Sequence, residues 1–325
     1  MNVQPWLAET WRTLERALSG NRLHHGLLFA APAGLGKRTL ANALACAALC
    51  SHRDVDGHAC GVCSSCLLVA AGSHPDLARI TFGLRDDGKP RTEIIVEQIR
   101  ALSQRLAMST QFGGAQIALI DPADRLNVNA ANALLKTLEE PTSATILMLI
   151  ADDASRLPAT IRSRCQRINL CAPARAEALA WLRAQRVDAK RAEESLDASL
   201  GNPGLALTWS ADETLGIRSA CADDLAALGR GRWPASEIAE RWAADQPETR
   251  LWFAAALACD EARSLARGEI GALGLTGREE IPKLAAWFSR ANHARGLMAT
   301  PLRSDLVLLD LLRAWPIRAA VSRST

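Results

Sequence analysis

The segment GLLFAAPAGLGKRTL, residues 26–40, constrains the fold more than any other part of the chain. Gly26 to Ala31 form an apolar run that fits a buried strand. A turn bearing Gly34 and Gly36 follows. An Ala/Leu-rich stretch from about Arg38 to Cys50 then predicts a helix. Strand, glycine turn and helix in that order open an α/β unit.

The pattern repeats downstream. Residues 6–20 predict a helix, Asp76–Phe82 a second strand and Ile94–Met108 another helix. Ile117–Ile120 reads as a buried strand ending at Asp121. NVNAANALLKTLEEP is a helix that Pro141 ends, with Ala131, Leu134 and Leu138 on one apolar face. Thr145–Ile150 is a third clear strand. Strands separated by helices imply a largely parallel sheet, with ligands at the carboxyl ends of its strands. From Cys171 onward there is no convincing buried strand; Ala, Leu, Trp and paired charges dominate between breakers such as GNPG and LGRGRWP. The expected order is therefore α/β then all-α: an α/β domain over residues 1–166, a small helical domain over 167–208 and a larger helical domain over 209–325.

Composition narrows the function classes. A chain of 325 residues with 49% hydrophobic content supports two or three domains with real cores. A net charge of +3, from 38 basic and 35 acidic side chains, argues against wrapping nucleic acid by charge alone. Five Phe and no Tyr weaken the case for a single-strand stacking platform. The start MNVQPWLAETWRTLER carries Glu9 and Glu15 and no apolar core run, so it does not read as a signal peptide, and no membrane-spanning run is expected. A cytoplasmic location is expected, and the nine cysteines then read as thiols or ligands rather than a disulfide framework.

Four of those cysteines, Cys50, Cys60, Cys63 and Cys66, have the spacing C-x9-C-x2-C-x2-C. Two-residue gaps let neighbouring thiolates converge on one ion, and four thiolates suit structural zinc with no open coordination position. An iron–sulfur cluster and four unligated thiols are the alternatives. Cys50 is expected at a helix end and the other three on the following loop. Cys46, Cys165, Cys171, Cys221 and Cys259 read as ordinary buried or half-buried residues.

The glycine turn is a phosphate loop with parts missing. Against G-x-x-x-x-G-K-[ST], the aligned residues are Ala31, Gly36, Lys37 and Arg38. Gly34, Gly36 and Lys37 permit an anion-cradling turn at a helix N-terminus. Arg38 replaces the hydroxyl that would hold magnesium, and Thr39 lies roughly 100° further round the helix. Asp121 could face a metal ion, but Pro122 stands where a water-positioning acid is needed, with Asp124 two residues on. The loop reads as a ligand-free scaffold turn, with nucleotide binding without turnover as the alternative and self-contained hydrolysis as the least supported reading. Arg156, Arg162 and Arg164 follow a sheet strand, where an arginine can be held toward a γ-phosphate on another subunit or simply be solvated.

Several stretches together resemble one family. They are PWL (residues 5–7), HHGLL (24–28), the degenerate loop at 31–39, the four cysteines, HPD (74–76), NAANALLKTLEEP (129–141) and LPATIRSRC (157–165). These resemble the delta-prime family of bacterial DNA polymerase III clamp-loader subunits, over most of the first 210 residues. The resemblance implies an AAA+ domain with a zinc-binding insertion at 50–66, a helical lid and a C-terminal helical collar domain for oligomerisation. It implies a non-hydrolysing stator, no enzyme on its own, within a DNA-directed DNA polymerase holoenzyme and its ATP-driven clamp loader. The implied partners are the gamma/tau motor subunits, the delta subunit, the sliding clamp and primer-template DNA. It also implies that Arg164, between Ser163 and Cys165, is an arginine finger given to a neighbouring ATPase subunit. Ala31, Arg38 and Pro122 depart from the motor paralogue's pattern, and Gly204 stands where that paralogue has its sensor-2 arginine.

Overall fold

A computed structural model describes residues 3–85, 87–141, 145–211, 213–275, 277–298 and 302–316. The extreme ends of the first and last expected domains lie outside the described residues. The chain divides into two compact units. One comprises residues 1–181 with 202–204, and the other residues 182–201 with 205–325.

In the first unit, a 3-10 turn at Pro5–Leu7 leads into α1 (Ala8–Ser19), followed by β1 (Gly26–Ala30), α2 (Lys37–Leu49) and α3 (Ser64–Ala70). Then come β2 (Leu77–Ile80), α4 (Val96–Leu106), β3 (Gln116–Ile120), α5 (Val128–Glu139), β4 (Thr145–Ala151), α6 (Ala159–Arg162) and β5 (Gln166–Asn169). The five strands form one sheet in the order β2-β3-β4-β1-β5, and every pairing is parallel.

Alternation along the strands builds two cores. Leu27, Phe29, Ile117, Leu119, Met148 and Ile150 face Trp11, Leu14, Leu40 and Leu44 on α1 and α2. Leu28, Ala118, Ile120, Leu147 and Leu149 face Ile99 and Leu102 on α4 and Leu134 and Leu138 on α5. Helices cover both sides, so the central strands are apolar except for Gln116 and Thr145 at the starts of β3 and β4.

β5 was not assigned an element from the sequence. Only Ile168 of its four residues is buried, as expected for a short strand at a sheet edge, and QRIN carries no apolar run. Its last three residues extend the sheet beyond position 166.

The helices that follow are α7 (Arg175–Ala184), α8 (Ala189–Ala198), α9 (Pro203–Ala211), α10 (Thr214–Gly229), α11 (Ala235–Ala244), α12 (Pro247–Arg267), α13 (Ile281–Leu297) and α14 (Ser304–Arg313). No strand occurs among the described residues after β5. In the second unit Trp242, Phe253, Trp287 and Trp315 are buried in one helical core, which accounts for many of the scattered tryptophans.

Among the described residues of that unit, one acidic side chain is buried. Glu261 on α12 is 1% exposed, and its carboxylate accepts from the amides of Leu273 (2.8 Å) and Leu275 (2.7 Å). Glu261→Ala leaves both buried amides without their acceptor. It is expected to cost about 3 kcal/mol, read as a shift in denaturant midpoint at unchanged slope.

Candidate functional site

Three groups of residues predicted from the sequence lie in the first unit, and local structure places each. Cys50 caps the C-terminus of α2. Cys60 lies in the next loop. Cys63 is the N-cap of α3, and Cys66 lies in its first turn. The expectation that all three later cysteines sit on a loop is thus corrected, because SSC starts a short helix. The four sulfurs lie within 4.8 Å of one another, with Cys50–Cys63 at 3.9 Å and Cys60–Cys66 at 4.0 Å. A tetrahedron built on metal–sulfur bonds of about 2.3 Å has edges of about 3.8 Å. The cluster therefore fits a metal ion.

Amides point at the sulfurs: Cys60 N to Cys50 Sγ at 3.3 Å and Cys63 N to Cys60 Sγ at 3.4 Å. Amides of Cys66 and Ser51 hold the Cys63 thiol down to about 6, while burial pushes Cys66 up to about 12. His58 is no ligand. It stacks on Trp11 with ring centroids 4.3 Å apart, and the Trp11 indole N–H donates to the Asp56 carbonyl at 3.0 Å. That anchor ties the cysteine loop to α1 and carries no sequence signal. Of the other cysteines, Cys171 is exposed rather than buried.

The glycine turn comes next. Gly34 and Gly36 have φ of 91° and 89°, a region that side chains other than glycine's rarely enter. The loop is held from both sides. Trp6 donates to the Leu35 carbonyl at 3.1 Å, and Asn202 donates to the Ala33 carbonyl at 2.7 Å. A Cβ placed on Gly204 would stand 2.2 Å from the Gly34 carbonyl oxygen. No side chain fits at position 204, so the missing arginine there reflects closed space.

Asp121 and Asp152 directly follow β3 and β4, and Lys37 opens α2 after the glycine turn that follows β1; parallel pairing lines these strands up side by side. Lys37 forms an ion pair with Asp152. Arg38 places Nε 2.8 Å from Asp121 Oδ2 and Nη1 3.3 Å from Asp152 Oδ1. Two cations thus meet two carboxylates where a hydrolysing site would hold nucleotide and magnesium.

Burial pulls Lys37 below the ordinary lysine value, only partly offset by Asp152. At Asp152 burial works the other way but is outweighed by Lys37 and Arg38, which hold its carboxyl below the usual range. The difference follows from exposure: the Lys37 side chain is 2% exposed and that of Asp152 42%. Arg38 is likewise held above its ordinary value, its pairing with Asp121 and Asp152 outweighing burial. Asp124 accepts from the amides of Asp152 (3.4 Å) and Asp153 (3.3 Å), so it braces the loop carrying Asp152.

Arg164 lies in the turn between α6 and β5. Its Nη2 is 2.7 Å from Glu139 Oε1, and its Nη1 donates to the Thr160 carbonyl at 3.0 Å. Arg162 instead donates to the Ala154 carbonyl at 3.3 Å.

Comparison with known proteins places this arrangement. A family profile described as DNA polymerase III, delta subunit, matches residues 6–174. A DNA polymerase III subunit delta′ from Pseudomonas aeruginosa is 37% identical over 244 residues, 74% of this chain and 71% of that protein. The chain belongs to the delta′ family of DNA polymerase III subunits. The delta′ of Escherichia coli K12 is 35% identical over 223 residues, 66% of this chain and 65% of that protein, just under two thirds of its length. Among solved structures, a DNA polymerase III gamma subunit-related protein from Thermotoga maritima aligns over 94% of this chain and 98% of that one, with a TM-score of 0.39 and 16% identity. The matched profile spans Gly34, Gly36, Lys37, the four clustered cysteines and Arg164.

In this delta′ chain sequence reasoning named Lys37, Arg38, Asp121 and Asp124 but missed Asp152. The acid directly after an apolar strand was the available signal, and Asp121 after β3 is its counterpart.

Proposed function

We propose that this chain is a non-hydrolysing stator of the DNA polymerase III clamp loader. It helps to load the sliding clamp onto primed DNA and donates Arg164 to a neighbouring ATPase subunit. The observation that carries the reading is the loop at 33–39, whose cations are bound to the chain's own acids. A site built for turnover keeps its lysine and a hydroxyl for phosphate and magnesium. Here Arg38 stands on both acids, and the Gly204 backbone closes the loop from outside. ATP binding by Gly34, Gly36 and Lys37 is not part of the proposal.

The first domain is then an AAA+ module, residues 167–208 a helical lid and residues 209–325 the collar domain. The gamma/tau motor subunits and delta are the partners, and the clamp and primer-template DNA are met through the assembly. The four cysteines hold a structural zinc ion, since four thiolates complete a tetrahedral shell and leave no position for a substrate. No described helix is long and apolar enough to cross a membrane.

Purification together with motor and delta subunits, followed by an ATPase assay stimulated by clamp and DNA, tests the reading. A chain that fails to join the assembly, or that turns over ATP alone with magnesium, contradicts it. Lys37→Ala is expected to leave the assembled ATPase nearly unchanged at saturating ATP. It costs the isolated chain about 1–2 kcal/mol, because Asp152 loses a buried partner while keeping Arg38. A large loss of turnover with assembly intact would show a working nucleotide site.

A further inference from the structure

Three stretches far apart in sequence meet around Arg164. The ring Nε2 of His25 is 3.0 Å from the Leu138 carbonyl, at the end of α5, and the His25 carbonyl accepts from the Leu147 amide on β4. The next residue, Gly26, lies directly beneath the arginine's own backbone. A Cβ there would be 3.2 Å from the Arg164 carbonyl oxygen and 3.0 Å from Leu138 Cδ2. On the other side the turn is pinned by Ile161, which is fully buried, and by Cys165, which packs on the same core. The backbone of Arg164 is therefore fixed from below and from both flanks, while its side chain is 38% exposed.

One side chain and one carbonyl then hold the guanidinium: Glu139 and Thr160. Glu139 is the last residue of α5, and its carboxylate holds Nη2 of Arg164. A helix C-terminus disfavours an acid, because the last carbonyls already carry partial negative charge. An ion pair this exposed adds little stability. Neither the helix dipole nor ion-pair stability accounts for an acid at this position. A guanidinium has five N–H donors in a rigid fork. The Thr160 carbonyl takes one donor, on Nη1, and Glu139 pairs with Nη2, so the half-exposed fork keeps further N–H donors. The grip need not be released for Arg164 to meet an anion.

We propose that Glu139 is a positioning residue for Arg164, orienting the guanidinium for a phosphate on the adjacent subunit. The inference rests on Arg164 acting in trans. The test uses loaders assembled from the full chain, with motor subunits whose own SRC arginines are replaced by alanine. Hydrolysis then reports the one site facing this chain.

Glu139→Ala is expected to lower kcat at that site about 10-fold, as a misaimed group does, with KM for ATP, assembly and melting temperature unchanged. Glu139→Gln keeps an acceptor oxygen and should recover most of the rate. In an Arg164→Ala background Glu139→Ala should add no further loss, since the two act as one unit. A normal rate in Glu139→Ala beside a slow Arg164→Ala overturns the role of Glu139 and leaves the finger standing. Normal rates in both overturn the finger reading itself. A faster Glu139→Ala would mean that Glu139 sequesters the arginine, and a further loss in the double variant would mean that it acts elsewhere; either result overturns the proposal.

Discussion

Arg164→Ala should join the assembly as the wild-type chain does and slow ATP hydrolysis at the adjacent site by about 10³-fold or more. On the proposed function the arginine acts where charge develops on the transferred phosphoryl group, and it contributes little to the fold. Its contacts within the chain are one half-exposed ion pair and one carbonyl. Thermal stability should therefore move by less than about 1 kcal/mol. The whole-loader loss should be smaller than the loss at one site if, as the proposed function implies, the other motor sites take arginines from other neighbours. Arg164→Lys should rescue poorly, since a point charge on a flexible stem does not reproduce the fork. Arg162→Ala is the control from the same turn, two residues away, and should behave as wild type. Arg164→Ala loaders that hydrolyse ATP and load clamps at the wild-type rate would rule this arginine out.

The second large effect belongs to the cysteine cluster. Wild-type protein should carry about one zinc per chain, and Cys60→Ser should lose most of it. Structural zinc in small domains is worth about 10–16 kcal/mol of apparent binding free energy, which becomes folding free energy wherever the metal organises the chain. The loss should be local here. Residues 50–66 should exchange amide hydrogens quickly, while the sheet core stays protected. The Trp11 anchor to Asp56 and His58 should loosen at the same time, which tryptophan emission can follow. Elemental analysis that finds no metal in carefully reduced wild-type protein would defeat this prediction.

Much of the first unit was legible because its physics is local. β1, β3 and β4 are apolar runs buried on both faces, and Pro141 marks the end of α5. β5 was not legible, since an edge strand with one buried residue needs no hydrophobic pattern. Nor was α3, which starts inside a cysteine motif whose spacing reads as a ligand pattern rather than as a helix. The site split in the same way. Missing groups were readable one at a time: a lost glycine at Ala31, a lost hydroxyl at Arg38, a lost arginine at Gly204. What the replacements do instead was not readable, because it depends on β1, β3 and β4 lying side by side. Only that alignment shows Arg38 as the partner of two acids. Glu139 was hidden for a similar reason, as the second unit's Glu261 was. Each carboxylate has a partner at least a dozen positions away along the chain.

If the proposed function holds, the ion pairs around Lys37 and Arg38 also limit what the cell's energy currency can do to this domain. A ligand shifts a conformational equilibrium only by the difference in its affinity for the two states. A pocket that has neutralised its own charges offers triphosphate and diphosphate alike nothing to distinguish. On the proposed reading the ratio of the two nucleotides should exert little leverage here, and any displacement of this domain during a loading cycle would be imposed from outside by the subunits that do respond.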